Sequence, residues 1–227
     1  NVPYRLKSYA EIVADPKNSI RFDDEAHKKA MALVPKMGAD AKLVLDEKQQ
    51  VRLTTMADKL LITLLTKLSN FIPYAGIWMN TLRPEWNDAN NALVGYGASM
   101  VTLCYMRRYV AFLQTLLQND IQLGAETADF LHAIHEALRL YPSSRQYIDA
   151  AGVAGEQYRT AVYAGLSGKQ TTMKTEDIQA FLTDALTRID ESIRANKRED
   201  GLYEAYNLIQ FTGTDRDIEI SHLYPML

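Results

Sequence analysis

The sequence predicts an all-α fold, built of antiparallel helical pairs and finished by a short extended C-terminal segment. Three observations predict it. Apolar residues recur at three- and four-residue spacing along most of the chain. Glycines and prolines interrupt that spacing at short intervals, which favours antiparallel neighbours. From Gly201 onward the pattern shifts to partial alternation of aromatic and β-branched residues, the mark of short strands or extended arms.

The elements follow in order. Residues 1–20 mix Pro3 and Pro16 with polar stretches and allow a short helix at 9–13. Asp23 or Asp24 is the N-cap of a helix running to Val34, with Pro35 and Gly38 as stops. Residues 46–70 form one helix whose apolar stripe is Val51, Met56, Leu60, Leu61, Leu64, Leu65 and Leu68. Asn70, Phe71 and Pro73 end it. Ser99 caps a helix over 100–119, apolar on more than one face and therefore expected at the centre of the fold, with Gly124 closing its exit. A further helix spans 127–140, ended by Tyr141-Pro142. Ser143 or Ser144 opens the next, through Ile148, Val153, Tyr158 and Val162 to the breaks at Gly165 and Gly168. Thr175-Glu176-Asp177 caps the last long helix, its acidic residues at the positive helix end, and the helix continues to Ile193. Extended pieces are expected over 202–211 and 217–220.

The 227 residues suffice for a single helical domain, 1–227, with one sizeable core. Beginning at Asn1 and ending at Pro225-Met226-Leu227, the sequence reads as a fragment of a longer chain, whose remainder is an expected partner. Hydrophobic content of 47% and charged content of 23% are those of a globular protein. A net charge of −3 excludes an electrostatic case for nucleic acid, and no apolar run is long enough to span a bilayer. One cysteine, Cys104, excludes an internal disulfide and a multi-cysteine metal site; inside an apolar helix it reads as core.

One stretch departs from amphipathic helix. Residues 81–99 place Arg83, Glu85, Trp86, Asn87, Asp88, Asn90 and Asn91 between two apolar segments. Pro84 breaks any helix entering from Trp78, and Gly95 and Gly97 permit tight turns. Long polar connections of this kind are binding or catalytic loops, or disordered, and the aromatic and asparagine content argues for order. Glu85 beside Trp86 has the apolar shielding that raises a carboxyl pKa and suits a general acid at a glycosidic oxygen. Asp88 serves either as that acid or as the cap of the turn that follows. Trp78 and Trp86 flank Asn80 and Arg83, so an aromatic platform stands beside amide and charged groups, matching the apolar faces and hydroxyls of a sugar; two core tryptophans are the plainer alternative. Inverting cleavage needs a second carboxylate about 6.5–9.5 Å from the acid, which must come from elsewhere in the protein.

Other groups carry less. His132 and His135 lie three apart with Glu136 following, but no third metal ligand is identifiable, and no metal or cofactor is expected. Arg107 and Arg108 sit among apolar residues and read first as snorkelling surface arginines, second as partners of an anion. Ser167-Gly168-Lys169 does not have the spacing of a phosphate loop.

The run Glu85-Trp86-Asn87-Asp88-Ala89-Asn90-Asn91, followed by Val94-Gly95, Gly97 and Ser99, resembles a motif of cellobiose-phosphorylase-like enzymes. In these an acidic-Trp-Asn-Asp run precedes a glycine-containing loop and a serine at the start of a buried helix. They belong to the glycoside hydrolases and phosphorylases built on an (α/α)6 toroid. The resemblance implies that the chain is part of such a toroid, or derived from one, and that Glu85 or Asp88 is the general acid. It also implies that inorganic phosphate is a candidate nucleophile beside water. The leading expectation is a carbohydrate-active domain, glycoside hydrolase or phosphorylase-like, acting on or binding a saccharide. Trp78, Asn80, Arg83, Trp86, Asn87 and Asn91 would line its pocket. The rival is a non-catalytic helical scaffold or interaction domain in which the run is a folded surface loop.

Overall fold

A computed structural model describes residues 3–80, 92–141, 144–212 and 217–223. It corrects the all-α expectation, and with it the all-helical toroid. The fold is mixed, a helical bundle joined to an antiparallel five-stranded sheet.

The N-terminal part is a small ladder, β1 (Tyr4–Leu6) against β2 (Ile20–Phe22), enclosing α1 (Tyr9–Ala14). A reciprocal Ser8–Glu11 capping box starts α1, satisfying two otherwise orphaned backbone donors. Helix α2 (Asp24–Met37) opens on Asp23, whose carboxylate accepts from Ala26 N at 2.9 Å. It runs through Pro35, whose missing N–H forfeits a single bond near the helix end, and stops only at Gly38, where φ is +62°.

The helix expected over 46–70 is shorter. Its first residues are a turn, in which the Asp46 carboxylate accepts from Lys48 N and Gln50 N, closed by a Leu45–Val51 bridge. Helix α3 (Met56–Leu68) begins where Thr55 and Asp58 form a capping box. It buries Leu61, Leu64, Leu65 and Leu68.

After α3 the chain enters the sheet. Strands β3 (Phe71–Ile72) and β4 (Gly76–Trp78) form a tight hairpin. Strand β5 (Gly97–Ser99) pairs with β4 and leads directly into α4 (Met100–Leu116), with the Ser99 hydroxyl accepting from Thr102 N. Strand β6 (Ile121–Gly124) follows, then α5 (Ala125–Leu138) and α6 (Ser144–Ala164). Strand β7 (Gln170–Met173) returns to pair with β6 and leads into α7 (Thr175–Ala195). Strands β8 (Tyr206–Thr212) and β9 (Asp217–Leu223) complete the large sheet in the order β3-β4-β5-β8-β9. The extended C-terminal part is thus two strands of a sheet whose other three come from residues 71–99.

One apolar core unites helices and sheet. Leu61, Leu65, Leu103, Leu113, Ile134, Phe181, Leu182 and Ile189 fill the bundle, and Phe71, Ile72, Ala98 and Ile209 extend it under the strands. Burying each large aliphatic side chain contributes about 1.5–3 kcal/mol. Two buried polar clusters fix the elements to one another. The Asp58 carboxylate accepts from Thr54, Thr55 and Gly124 N, tying α3 to the β6–α5 junction. Asn207, fully buried, donates to Ala75 O and to Asn196 Oδ1, while Asn196 donates to Tyr74 O and Ser192 O. This second cluster locks the β3–β4 turn to the end of α7.

Helix α4 corrects another expectation. It is not central: Leu103, Met106, Val110 and Leu113 face the core, while Val101, Cys104, Tyr105, Phe112 and Leu116 face outward. Cys104 is accordingly exposed and not core.

Candidate functional site

The polar run leaves the sheet at β4 and returns at β5, and its root is built from main chain. Met79 N donates to Gly97 O at 2.9 Å, and Gly95 N donates to Met79 O at 2.6 Å, extending the β4–β5 pairing beyond Trp78 and Gly97. The chain on the two sides of the run is therefore joined by main-chain bonds at Met79 and Gly95.

Side chains reinforce this root. The Trp78 indole N–H donates to Gly95 O at 2.9 Å across the base of the run, and its ring packs on Phe211 of β8 with centroids 5.0 Å apart. Asn80 donates to the Asn70 side chain at 2.6 Å, tying the outgoing chain to the end of α3. On the returning side the Tyr96 hydroxyl donates to Ala92 O, and Ile209 N donates to Tyr96 O at 2.8 Å. Lys17 lies over the Tyr96 ring at 4.6 Å. Gly95, at φ +91°, lets the segment around Pro16 and Lys17 approach closely; a Cβ there would meet Lys17 N and Pro16 C at 3.0 Å.

Trp78 is 4% exposed, and both its ring and its N–H are engaged. Its place is at the root of the run, packed into the sheet, and not on an open surface. Asn80 stands beside it at the root. Arg83, Glu85, Trp86, Asn87, Asp88 and Asn91 lie outside the described residues.

The root has a charged neighbour that sequence reasoning missed. Arg145, near the start of α6, lies over the Phe211 ring at 5.4 Å and pairs with Asp149 at 2.9 Å. Asp149 also accepts from the Tyr9 hydroxyl at 2.7 Å, and Glu156, two turns further on, accepts from Tyr9 N at 2.7 Å. Burial pushes the Tyr9 hydroxyl far above the ordinary phenol range, and the Asp149 carboxylate adds to this by accepting its proton in a hydrogen bond. Arg145 and Asp149 are four apart on a helix, a spacing common on solvated faces. Nothing local marks them, because their neighbourhood is created by strand β8. The Asp149 oxygens are held by two donors, an arrangement that positions Arg145 better than it abstracts a proton.

The histidine pair does not assemble a metal site. His132 is exposed, while His135 Nε2 lies 2.9 Å from Asp184 Oδ2 and its ring meets Phe181 edge-on. Among the described residues no three His, Cys, Asp or Glu side chains converge on a metal position. Arg107 is paired with Asp190 of α7. Among the described residues no helix is long and apolar enough to cross a membrane.

No protein-family model matches the chain, and no curated protein matches it significantly.

Proposed function

We propose that this chain is a carbohydrate-active domain that binds a saccharide on the polar run 81–91 and acts on it as a glycoside hydrolase or phosphorylase does. The supporting observation is the root. A segment rich in amide, carboxylate and indole groups leaves a buried sheet through two main-chain hydrogen bonds and one indole bond to Gly95 O. Fixing the two flanks of a segment lowers the conformational entropy it has left to lose when a ligand arrives, relative to the same segment with free ends. In this reading Glu85 or Asp88 is the general acid, Trp86 the stacking platform, and Asn87 and Asn91 hold hydroxyls or backbone. Arg83 takes an anionic or hydroxyl group, inorganic phosphate included. Trp78 and Asn80 hold the base on which these residues stand.

The test is a binding and turnover screen of neutral oligosaccharides and sugar phosphates, with inorganic phosphate present or omitted. It uses wild type, Trp86→Ala, Glu85→Gln and Asp88→Asn. The reading expects one saccharide to bind wild type, to lose at least tenfold in affinity in Trp86→Ala, and to be turned over by only one of the two carboxylate variants. Absence of saccharide binding to every protein in the set refutes it. An interaction domain is the second reading, and the outward apolar face of α4 favours it.

A further inference from the structure

Helix α4 carries two apolar faces where one suffices to hold it in the fold. Its outer stripe is Val101, Cys104 with Tyr105, Arg108, Phe112 and Leu116, recurring once per helical turn. Tyr105 is 66% exposed, Phe112 51%, Leu116 47% and Val101 43%. The Tyr109 hydroxyl donates to Leu60 O at 3.0 Å, so α3 runs alongside, and one turn before Leu60 the side chain of Met56 is exposed as well. Contiguous apolar patches of this kind mark interaction surfaces.

The charge in the middle of the stripe says what fits there. Arg107 is consumed by Asp190, whereas Arg108 makes no ion pair or hydrogen bond with the described residues. A partner that covers the stripe desolvates Arg108, which is costly unless a carboxylate meets it. Arg108 also lies at the midpoint of 101–116, so a two-fold pairing of α4 with a second copy would set Arg108 against itself. We infer that the outer face of α4 docks an amphipathic helix of another polypeptide, whose apolar ridge carries a carboxylate opposite Arg108.

The probe is a designed amphipathic helical peptide with leucines along one ridge and a single central glutamate, beside a twin with lysine at that position. Cys104, the sole cysteine of the chain and part of the stripe, provides the readout, since docking shields its thiol from an aromatic disulfide reagent. The glutamate peptide is expected to slow thiol modification of wild type, saturably. Arg108→Glu should weaken that peptide by about tenfold and strengthen the lysine twin, as charge complementarity requires. Phe112→Asp should abolish protection by either peptide; because the ring also stacks on Tyr109, centroids 6.4 Å apart, circular dichroism checks that the variant keeps the wild-type fold. Three results overturn the inference. One is no protection by the glutamate peptide. Another is protection indifferent to the charge swap, which would make the face merely adhesive. The last is a wild-type dimer that Phe112→Asp dissociates, which would make a second copy the occupant.

Discussion

Replacing Trp78 by phenylalanine isolates the bond that closes the base of the polar run. The ring contact with Phe211 is kept in kind, but the donor to Gly95 O, 2.9 Å away, is gone. Gly95 is buried, so its carbonyl is left without that donor, at about 1–3 kcal/mol. The smaller ring leaves a void of about 40 Å³, which adds about 1 kcal/mol. The sum is about 2–4 kcal/mol, and at about 2–4 °C per kcal/mol for a chain of this size the melting midpoint should fall by about 4–16 °C. Near-UV circular dichroism follows the melt, and hydrogen exchange localises it. The amides of Met79 and Gly95, which form the ladder beneath the run, should exchange faster in the variant by a larger factor than the amide of Leu65 in α3. The substitution also leaves Trp86 as the sole tryptophan, so fluorescence then reports on the run alone. A midpoint within about 1 °C of wild type, or equal acceleration at Gly95 and Leu65, would refute the claim that the indole bond holds the root.

Further substitutions probe the supports of the same platform. Burial alone would raise the Asp58 pKa, but hydrogen bonds from Thr54, Thr55, Gly124 N and Thr127 outweigh it and hold the carboxyl below the ordinary range. Since its folded value lies below the unfolded one of about 3.9, its stabilisation is complete above that value and is lost as pH falls through the folded value. Asp58→Asn should therefore cost about 1–3 kcal/mol in urea unfolding at neutral pH, with a gap to wild type that narrows below about pH 4. A gap that widens there would contradict the assignment. At Gly76, φ is +120° and a Cβ would lie 2.8 Å from both Ser99 C and Ser99 O, so Gly76→Ala strains the backbone and forces β4 off β5. A loss above about 3 kcal/mol is expected in denaturant titration, and an unchanged midpoint would mean the strands are not so closely apposed. The fully buried Tyr147 hydroxyl donates to Leu68 O at 2.8 Å, and Tyr147→Phe should cost about 1–2 kcal/mol by the same titration.

Local pattern located the helices well and the sheet poorly, for physical reasons. Apolar periodicity marks a helix wherever one face is buried, and Leu61, Leu64, Leu65 and Leu68 announce α3 by themselves. Caps refine the start: Thr55 and Asp58, three positions apart, form the box that begins the helix, while Val51 extends the apolar stripe back over residues 46–54, which are not helical. Strands β3, β4 and β5 are two or three residues each and buried throughout, so no alternation can develop. Their pairing is also non-local. Gly97 lies opposite Leu208, and Ile121 opposite Met173, and no window of sequence contains both partners. Helix α4 misled in the opposite sense, since its two apolar faces look alike in sequence although one meets the core and the other meets solvent. Of the candidate site, Trp78 stands out in the sequence as an aromatic beside polar groups, but its packing at the root depends on Phe211, which β8 brings across the sheet.

That dependence links the two functional readings. The run 81–91 is rooted between β4 and β5, and β5 continues without a break into α4, whose Ser99 cap belongs to the strand itself. Met100 N and Val101 N both donate to Ala205 O, just before β8, so the first turn of α4 is pinned to the same sheet. A helix docked along Val101 and Tyr105 would bear on that first turn, one short strand away from the root of the run. Coupling between the two surfaces needs no long pathway: it needs only that β5 shift when α4 does. It should then be reciprocal, with docking on α4 changing saccharide affinity by the factor by which saccharide changes docking. Measuring both factors on the same protein, with Phe112→Asp as the uncoupled reference, decides it. Unequal factors would violate linkage and expose an artefact, whereas equal factors of one would show two independent surfaces sharing a scaffold.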